Sequence, residues 1–281
     1  MLQTSISQQT GFGHLTDLPC IKLQYGNASA VVSLYGGQVL SYQPAPGREL
    51  LWLSPLASWH NQTPIRGGVP VCWPWFGPAE QKLNPQQQAL PNHGVVRTQL
   101  WQLSEQTETP QGVSLTLAVT VKNLAHYQAE VTLKLKLTLS DTLSMTLQCD
   151  TTMLQQAALH SYFAVDNIAQ TQVSSLPQTY IDKLSGKTEQ VNTDTAQFSA
   201  EVDRVYLSPA AELKISDNQK IITVAQLGQD ASVVWNPWQQ KSRQTKDLPD
   251  DSYQRFVCVE TARLLLDSAL PLTLTQQLRG N

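Results

Sequence analysis

The chain has 281 residues and a mass of 31.1 kDa, with 41% hydrophobic side chains for a sizeable core and only 15% charged ones, below the roughly 25% usual for globular chains. A formal net charge of -3, from 19 basic and 22 acidic residues, excludes the dense basic field of a nucleic-acid binder. No apolar run approaches the roughly 20 residues that cross a bilayer as a helix, so no membrane partner is expected.

Residues 1–15 have neither a basic start nor an apolar stretch, so no secretory signal is read and a cytoplasmic protein is expected. Beyond them the dominant period is two. Strands are predicted at residues 21–24 and 29–34, followed by short helical turns around residues 55–59. Residues 79–91 are polar and unpatterned and predict a surface loop. Val113, Leu115, Leu117, Val119 and Val121 alternate with small residues. Val131, Leu133, Leu135, Leu137 and Leu139 alternate with Thr and Lys, and after the turn signal Ser140-Asp141-Thr142 the pattern resumes at Leu143, Met145, Leu147 and Cys149. This predicts a hairpin with one buried and one wet face. Further strands are predicted at residues 213–215, 221–224, 256–260 and 272–278. No long amphipathic helix, repeat or linker interrupts the chain. The expectation is therefore one all-β domain over residues 1–281, a sandwich or barrel. The four cysteines, Cys20, Cys72, Cys149 and Cys258, are scattered without a C-x-x-C pair and read as buried free thiols in a reducing compartment.

Four segments break the alternation. Arg66-Gly67-Gly68-Val69-Pro70 runs on through Trp73, Trp75 and Phe76 to Gly77-Pro78, a stiff aromatic loop that could wall a pocket or plug the core. Asn92-His93-Gly94-Val95-Val96-Arg97 places a His at a glycine turn. His160 lies in the apolar stretch Leu159-His160-Ser161-Tyr162-Phe163, where a His is either a hydrogen-bonded core residue or a group whose pKa burial has adjusted. Glu260 shares a strand face with Phe256 and Cys258 and must either emerge into water at the strand end or meet partners. Asp203-Arg204-Val205-Tyr206 and Trp235-Asn236-Pro237-Trp238 are further polar-aromatic clusters. No His pair or Cys cluster has metal-ligand spacing, and the serine-hydrolase, P-loop and dinucleotide motifs are missing. Neither a metal nor a cofactor is expected. What remains is acid/base chemistry by His and carboxylate, or plain binding.

In order, these segments resemble the aldose 1-epimerase superfamily and, within it, the hexose-6-phosphate mutarotase branch. The resemblance implies a large antiparallel β-sandwich of the galactose-mutarotase type. It implies that the α and β anomers of a hexose 6-phosphate, glucose 6-phosphate foremost, are interconverted by ring opening and closure without a cofactor. Carried over by position, Glu260 is the general base and His160 the general acid, ionised together near neutral pH. His93 polarises the sugar near its ring oxygen, Asp203 holds a ring hydroxyl, Trp235 contributes to substrate binding, and Arg66 and Arg97 hold the phosphate. A monomer is expected. Val95-Val96 stand where the family commonly has Phe-Ala, which alters the pocket's packing but leaves the spacing to Arg97 intact. An epimerase of free aldoses and a non-catalytic sugar-phosphate-binding regulator remain as alternatives; Arg66 and Arg97 argue against the first, an intact acid and base against the second.

Overall fold

The alternation at residues 131–139 becomes the strand Val131–Leu139, with Val131, Leu133, Leu135, Leu137 and Leu139 buried and Thr132, Lys134 and Lys136 exposed. A period of two delivers this result because successive side chains of a strand point to opposite faces. The strand pairs antiparallel with Gly112–Val121 on one side and with Leu143–Met153 on the other. The coordinates are a computed structural model that describes residues 3–218 and 220–280; Met1 and Leu2, within the stretch read for a secretory signal, lie outside the described residues.

These strands belong to a nine-stranded sheet running from Ala196–Gln197 at one edge, through Lys220–Leu227, Leu270–Gly280 and Leu143–Met153, to Gln102–Thr109 at the other. An eight-stranded sheet holds, side by side, Thr179–Asp182, Val202–Leu207, Ala231–Asn236 and Phe256–Arg263; the last pairs with both Ala157–Leu159 and Tyr162–Ala164. A four-stranded sheet, Thr4–Phe12 to Val39–Gln43, completes the fold. One apolar cluster joins all three, from Ile21 and Val32 through Leu135 and Leu147 to Val234, Val257 and Leu274. The architecture is an antiparallel β-sandwich, as expected, and all four cysteines are buried thiols.

Several local expectations need correction. The helical turn lies at His60–Gln62, after a simple turn in which Ala57 N–H bonds Ser54 O. A seven-residue helix, Trp238–Gln244, was not foreseen. The loop at residues 79–91 is mostly exposed, but Leu83 is buried in the main core and pins it. Among the described residues no helix is long and apolar enough to cross a membrane.

Candidate active site

Glu260 does not emerge at a strand end. The strand Phe256–Arg263 continues past it, and the carboxylate is only 1% exposed. Antiparallel register explains what it meets. Leu159 pairs with Thr261 and Tyr162 with Cys258, so the intervening His160 comes opposite Glu260 on the same sheet face. Their side chains touch, His160 Nε2 lying 3.4 Å from Glu260 Oε1. On the next strands Val233 pairs with Glu260, Trp235 with Cys258 and Asp203 with Trp235, which brings Trp235 and Asp203 to that face as well.

Two glycine turns fold the loops over this face. Gly68 has φ +61°, and a Cβ there would stand 2.2 Å from Val39 O; at Gly94, φ +82°, it would stand 1.8 Å from Trp73 O. Neither position admits another residue without moving backbone. The aromatic loop plays both roles suggested for it: Trp73 and Trp75 are core, whereas Phe76 is half-buried and lines the cleft. His93 is clamped by Gly77, whose N–H donates to His93 Nδ1 at 3.2 Å while His93 N–H returns a bond to Gly77 O at 2.8 Å. A backbone N–H only donates, so Nδ1 is an acceptor and the neutral ring carries its proton on Nε2. Burial, reinforced by the charges of Arg97, Lys183 and Arg66, depresses His93 to about 3, so it is a neutral donor at ordinary pH.

The result is a cleft of about 290 Å³ lined by Arg66, His93, His160, Asp203, Trp235 and Glu260 together with Phe76 and Asn92. Its size suits one small ligand. Six of the seven sequence-predicted site residues therefore meet on its wall. Arg97 does not line it; its charge acts on His93, His160 and Glu260 without belonging to the wall. Lys183 and Lys241 do line it and were missed. Only topology brings them there: Lys183 follows the strand Thr179–Asp182, and Lys241 sits on the unforeseen helix.

The charges sort into paired and unpaired. Arg66 Nε bonds Asp247 Oδ2 at 3.0 Å and its Nη1 donates to Tyr162 Oη at 3.0 Å; Tyr162 in turn stacks on His160 with ring centres 5.0 Å apart. Lys241 pairs with Glu201 at 2.8 Å. Lys183 stands over the Phe76 ring at 5.3 Å and makes no ion pair with a described residue. Arg97 is half-buried, has its Nε buried without a partner, and makes no side-chain hydrogen bond or ion pair with a described residue.

The acid/base pair departs from expectation. Mutual attraction was expected to ionise both groups, but burial dominates. It pushes His160 well below the ordinary imidazole value, helped by His93, Arg97 and Arg66, and lifts Glu260 well above the ordinary carboxylate value, helped by the nearby Asp203. Both shifts run toward the uncharged form, imidazole for His160 and carboxyl for Glu260. Each also buries an atom without a partner, His160 Nδ1 and Glu260 Oε2. Such poorly satisfied, strongly shifted pairs are characteristic of reactive sites. Burial raises Asp203 too, against the opposing charges of Lys183 and Lys241. A buried proton donor and acceptor in contact, facing a sugar-sized cleft with aromatic walls, can move two protons in concert.

The family model described as aldose 1-epimerase matches residues 19–270. The chain is 39% identical over 253 residues to an Escherichia coli (strain K12) protein named "Putative glucose-6-phosphate 1-epimerase", an alignment covering 88% of this chain and 84% of the relative. Among solved structures, a "putative mutarotase" from Salmonella typhimurium superposes with a TM-score of 0.88 at 33% identity, covering 98% of this chain and 93% of that one. The galactose 1-epimerase of Lactobacillus acidophilus NCFM superposes with a TM-score of 0.75 at 13% identity over 100% of this chain and 99% of that one, a likeness of fold.

Proposed function

Because the chain belongs to the aldose 1-epimerase family, we propose that this isomerase is a glucose-6-phosphate 1-epimerase in which His160 and Glu260 exchange protons with the anomeric centre. The observation that carries the reading is the buried His160–Glu260 contact on the floor of a cleft whose neighbouring unpaired cations are Arg97 and Lys183.

Glu260 takes the proton of the anomeric hydroxyl while His160 gives one to the ring oxygen. The bond between the anomeric carbon and the ring oxygen breaks, the aldehyde turns, and closure on its other face runs the transfers backwards. Before opening, the pair is carboxylate and imidazolium; afterwards it is carboxyl and imidazole. Those two forms carry the same number of protons. The second is the form that burial favours, so the site's electrostatics stabilise the open-chain stage, and the hydroxyl and ring oxygen of the closed sugar solvate the ionised pair at the start. His93, neutral with its proton on Nε2, donates toward the ring oxygen. Asp203 accepts from a ring hydroxyl, and Trp235 and Phe76 flank the ring.

The phosphate falls to Arg66 and Arg97, with Lys183 as a third cation. Arg66 is already neutralised by Asp247. Arg97 has no such partner, and an unpaired, half-buried guanidinium is unfavourable until an anion satisfies it. This favours a phosphorylated sugar over a free aldose. We propose in addition that residues 1–281 act as one cytoplasmic domain and as a monomer; the core shared by three sheets and the four buried thiols support the first two points, and light scattering would check the third.

Exchange NMR on a panel of free and phosphorylated aldoses tests the substrate. Fast anomer exchange of hexose 6-phosphates and slow exchange of free sugars is expected. Preference for free glucose or galactose would replace this reading with a free-aldose epimerase.

A further inference from the structure

Period two in the strand Leu270–Gly280 buries Leu272, Leu274, Gln276 and Leu278, so Gln276 stands where the pattern calls for a fourth leucine. Its cross-strand partner Gln226 breaks the buried series Ile222, Val224 of the strand Lys220–Leu227 in the same way. Gln276 is 0% exposed, so an amide sits among the leucines of the main core. A buried amide is costly unless its hydrogen bonds are made, and a leucine would serve packing better.

The bonds are made, and they cross to the sheet that carries the acid and base. Gln276 Oε1 accepts from Ser161 Oγ, and its Nε2 donates to Thr261 Oγ1 at 2.9 Å and, more loosely, to Val259 O at 3.4 Å. The Thr261 hydroxyl donates onward to Gln226 Oε1 at 3.0 Å, which also accepts from Ser232 Oγ at 3.0 Å. Gln226 Nε2 is satisfied by Ala210 O at 2.8 Å. Ser161 and Thr261 are both 0% exposed.

The neighbours matter. Ser161 directly follows His160, and Thr261 directly follows Glu260. Side chains alternate across a strand, so both hydroxyls point to the back of the sheet while the acid and base point into the cleft. One amide therefore grips, from behind, the two positions next to the catalytic pair. Val259 N–H also bonds Ser161 O at 3.2 Å, closing the link between the two segments.

We propose that Gln276, supported by Gln226, is a positioning residue for anomer exchange: by holding Ser161 and Thr261 it sets the distance and aim of His160 and Glu260. This rests on the functional reading above. Taking a proton from one oxygen of the anomeric carbon while giving one to the other tolerates little displacement of either group, and Gln276 hydrogen-bonds both segments from the opposite sheet.

Gln276→Met tests it, because methionine matches the length and suits the apolar surroundings but makes no hydrogen bonds. Misplacement of reacting groups should lower kcat for glucose 6-phosphate about 10- to 100-fold while KM changes by less than roughly twofold. The pH profile of kcat should shift, since the contact through which the pair shares its proton is loosened. Thr261→Val, isosteric and without the hydroxyl, should reproduce the loss, and the double variant should be no worse than the worse single. A wild-type kcat and pH profile in these variants, with only a lower Tm, would overturn the positioning role. Should Gln276→Met fail to fold, Thr261→Val alone separates the same two outcomes. Absence of exchange by the wild-type protein would overturn the functional reading and this proposal together; wild-type exchange with unaffected variants would overturn this proposal alone.

Discussion

Arg97→Met removes a charge and keeps the stem of the side chain. The guanidinium has no partner among the described residues and a buried Nε, so its deletion strands no carboxylate and leaves no cavity of consequence. If it meets the phosphate, the loss is that of a hydrogen bond to a charged group, about 1.5–3 kcal/mol. At 1.36 kcal/mol per decade this is a fall of roughly 10- to 150-fold in kcat/KM for glucose 6-phosphate. Exchange of free glucose, which offers no anion, should change little. Arg97 also lowers both His160 and Glu260, so each protein is compared at its own optimum pH. Thermal melting supplies the control. Arg97→Met should keep or raise Tm, whereas Arg66→Met, which leaves Asp247 and Tyr162 Oη without their donor, should lower it. Equal losses on both sugars, or a drop in Tm as large as that of Arg66→Met, would refute the assignment of Arg97 to the phosphate.

Lys183→Ala should weaken glucose 6-phosphate turnover less than Arg97→Met does, by up to about fivefold, because Lys183 is exposed and solvent screens its charge; a larger effect would make it the principal anchor. His93 is held at about 3 against an ordinary 6.5, so the unfolded chain takes up that proton first and stability should fall as pH drops from 6.5 towards 3. His93→Gln should flatten Tm against pH in that window, and a curve parallel to wild type would contradict the shift. Glu260, raised in the fold, has the opposite sign: its contribution is present below about 4.5 and is lost as pH rises from there through its folded value, so Glu260→Gln should flatten the fall of Tm above about pH 4.5. Given the lack of metal-ligand spacing in the sequence, activity should survive dialysis against a chelator; a loss restored by a divalent cation would contradict this.

How much was legible in the sequence depended on how local the cause was. Strict alternation at residues 113–121, 131–139 and 143–149 marked strands because one face is core and the other water. The strand Thr4–Phe12 escaped notice because none of its side chains is buried and the pattern is blurred. His160 and Glu260 stood out as polar residues in apolar runs, but their contact is a matter of register between strands a hundred residues apart. The burial that shifts both groups was not legible, because attraction is a pairwise matter and desolvation belongs to the whole fold. Lys183 and Lys241 look like ordinary surface lysines until topology sets them on the cleft. Gln276 was detectable, as a polar residue in the series Leu272, Leu274, Leu278, yet its partners Ser161 and Thr261 lie in another sheet and only the fold reveals them.

The central claim is that the buried His160–Glu260 pair moves the protons of anomer exchange. Its most direct test is exchange NMR of glucose 6-phosphate with equal amounts of wild-type protein and of Glu260→Gln, a shape-preserving change that removes the base. Wild type should exchange the anomers well above the spontaneous rate. The variant, folded by circular dichroism, should be slower by about 10²-fold or more. A Glu260→Gln protein that exchanges the anomers nearly as fast as wild type would contradict the account.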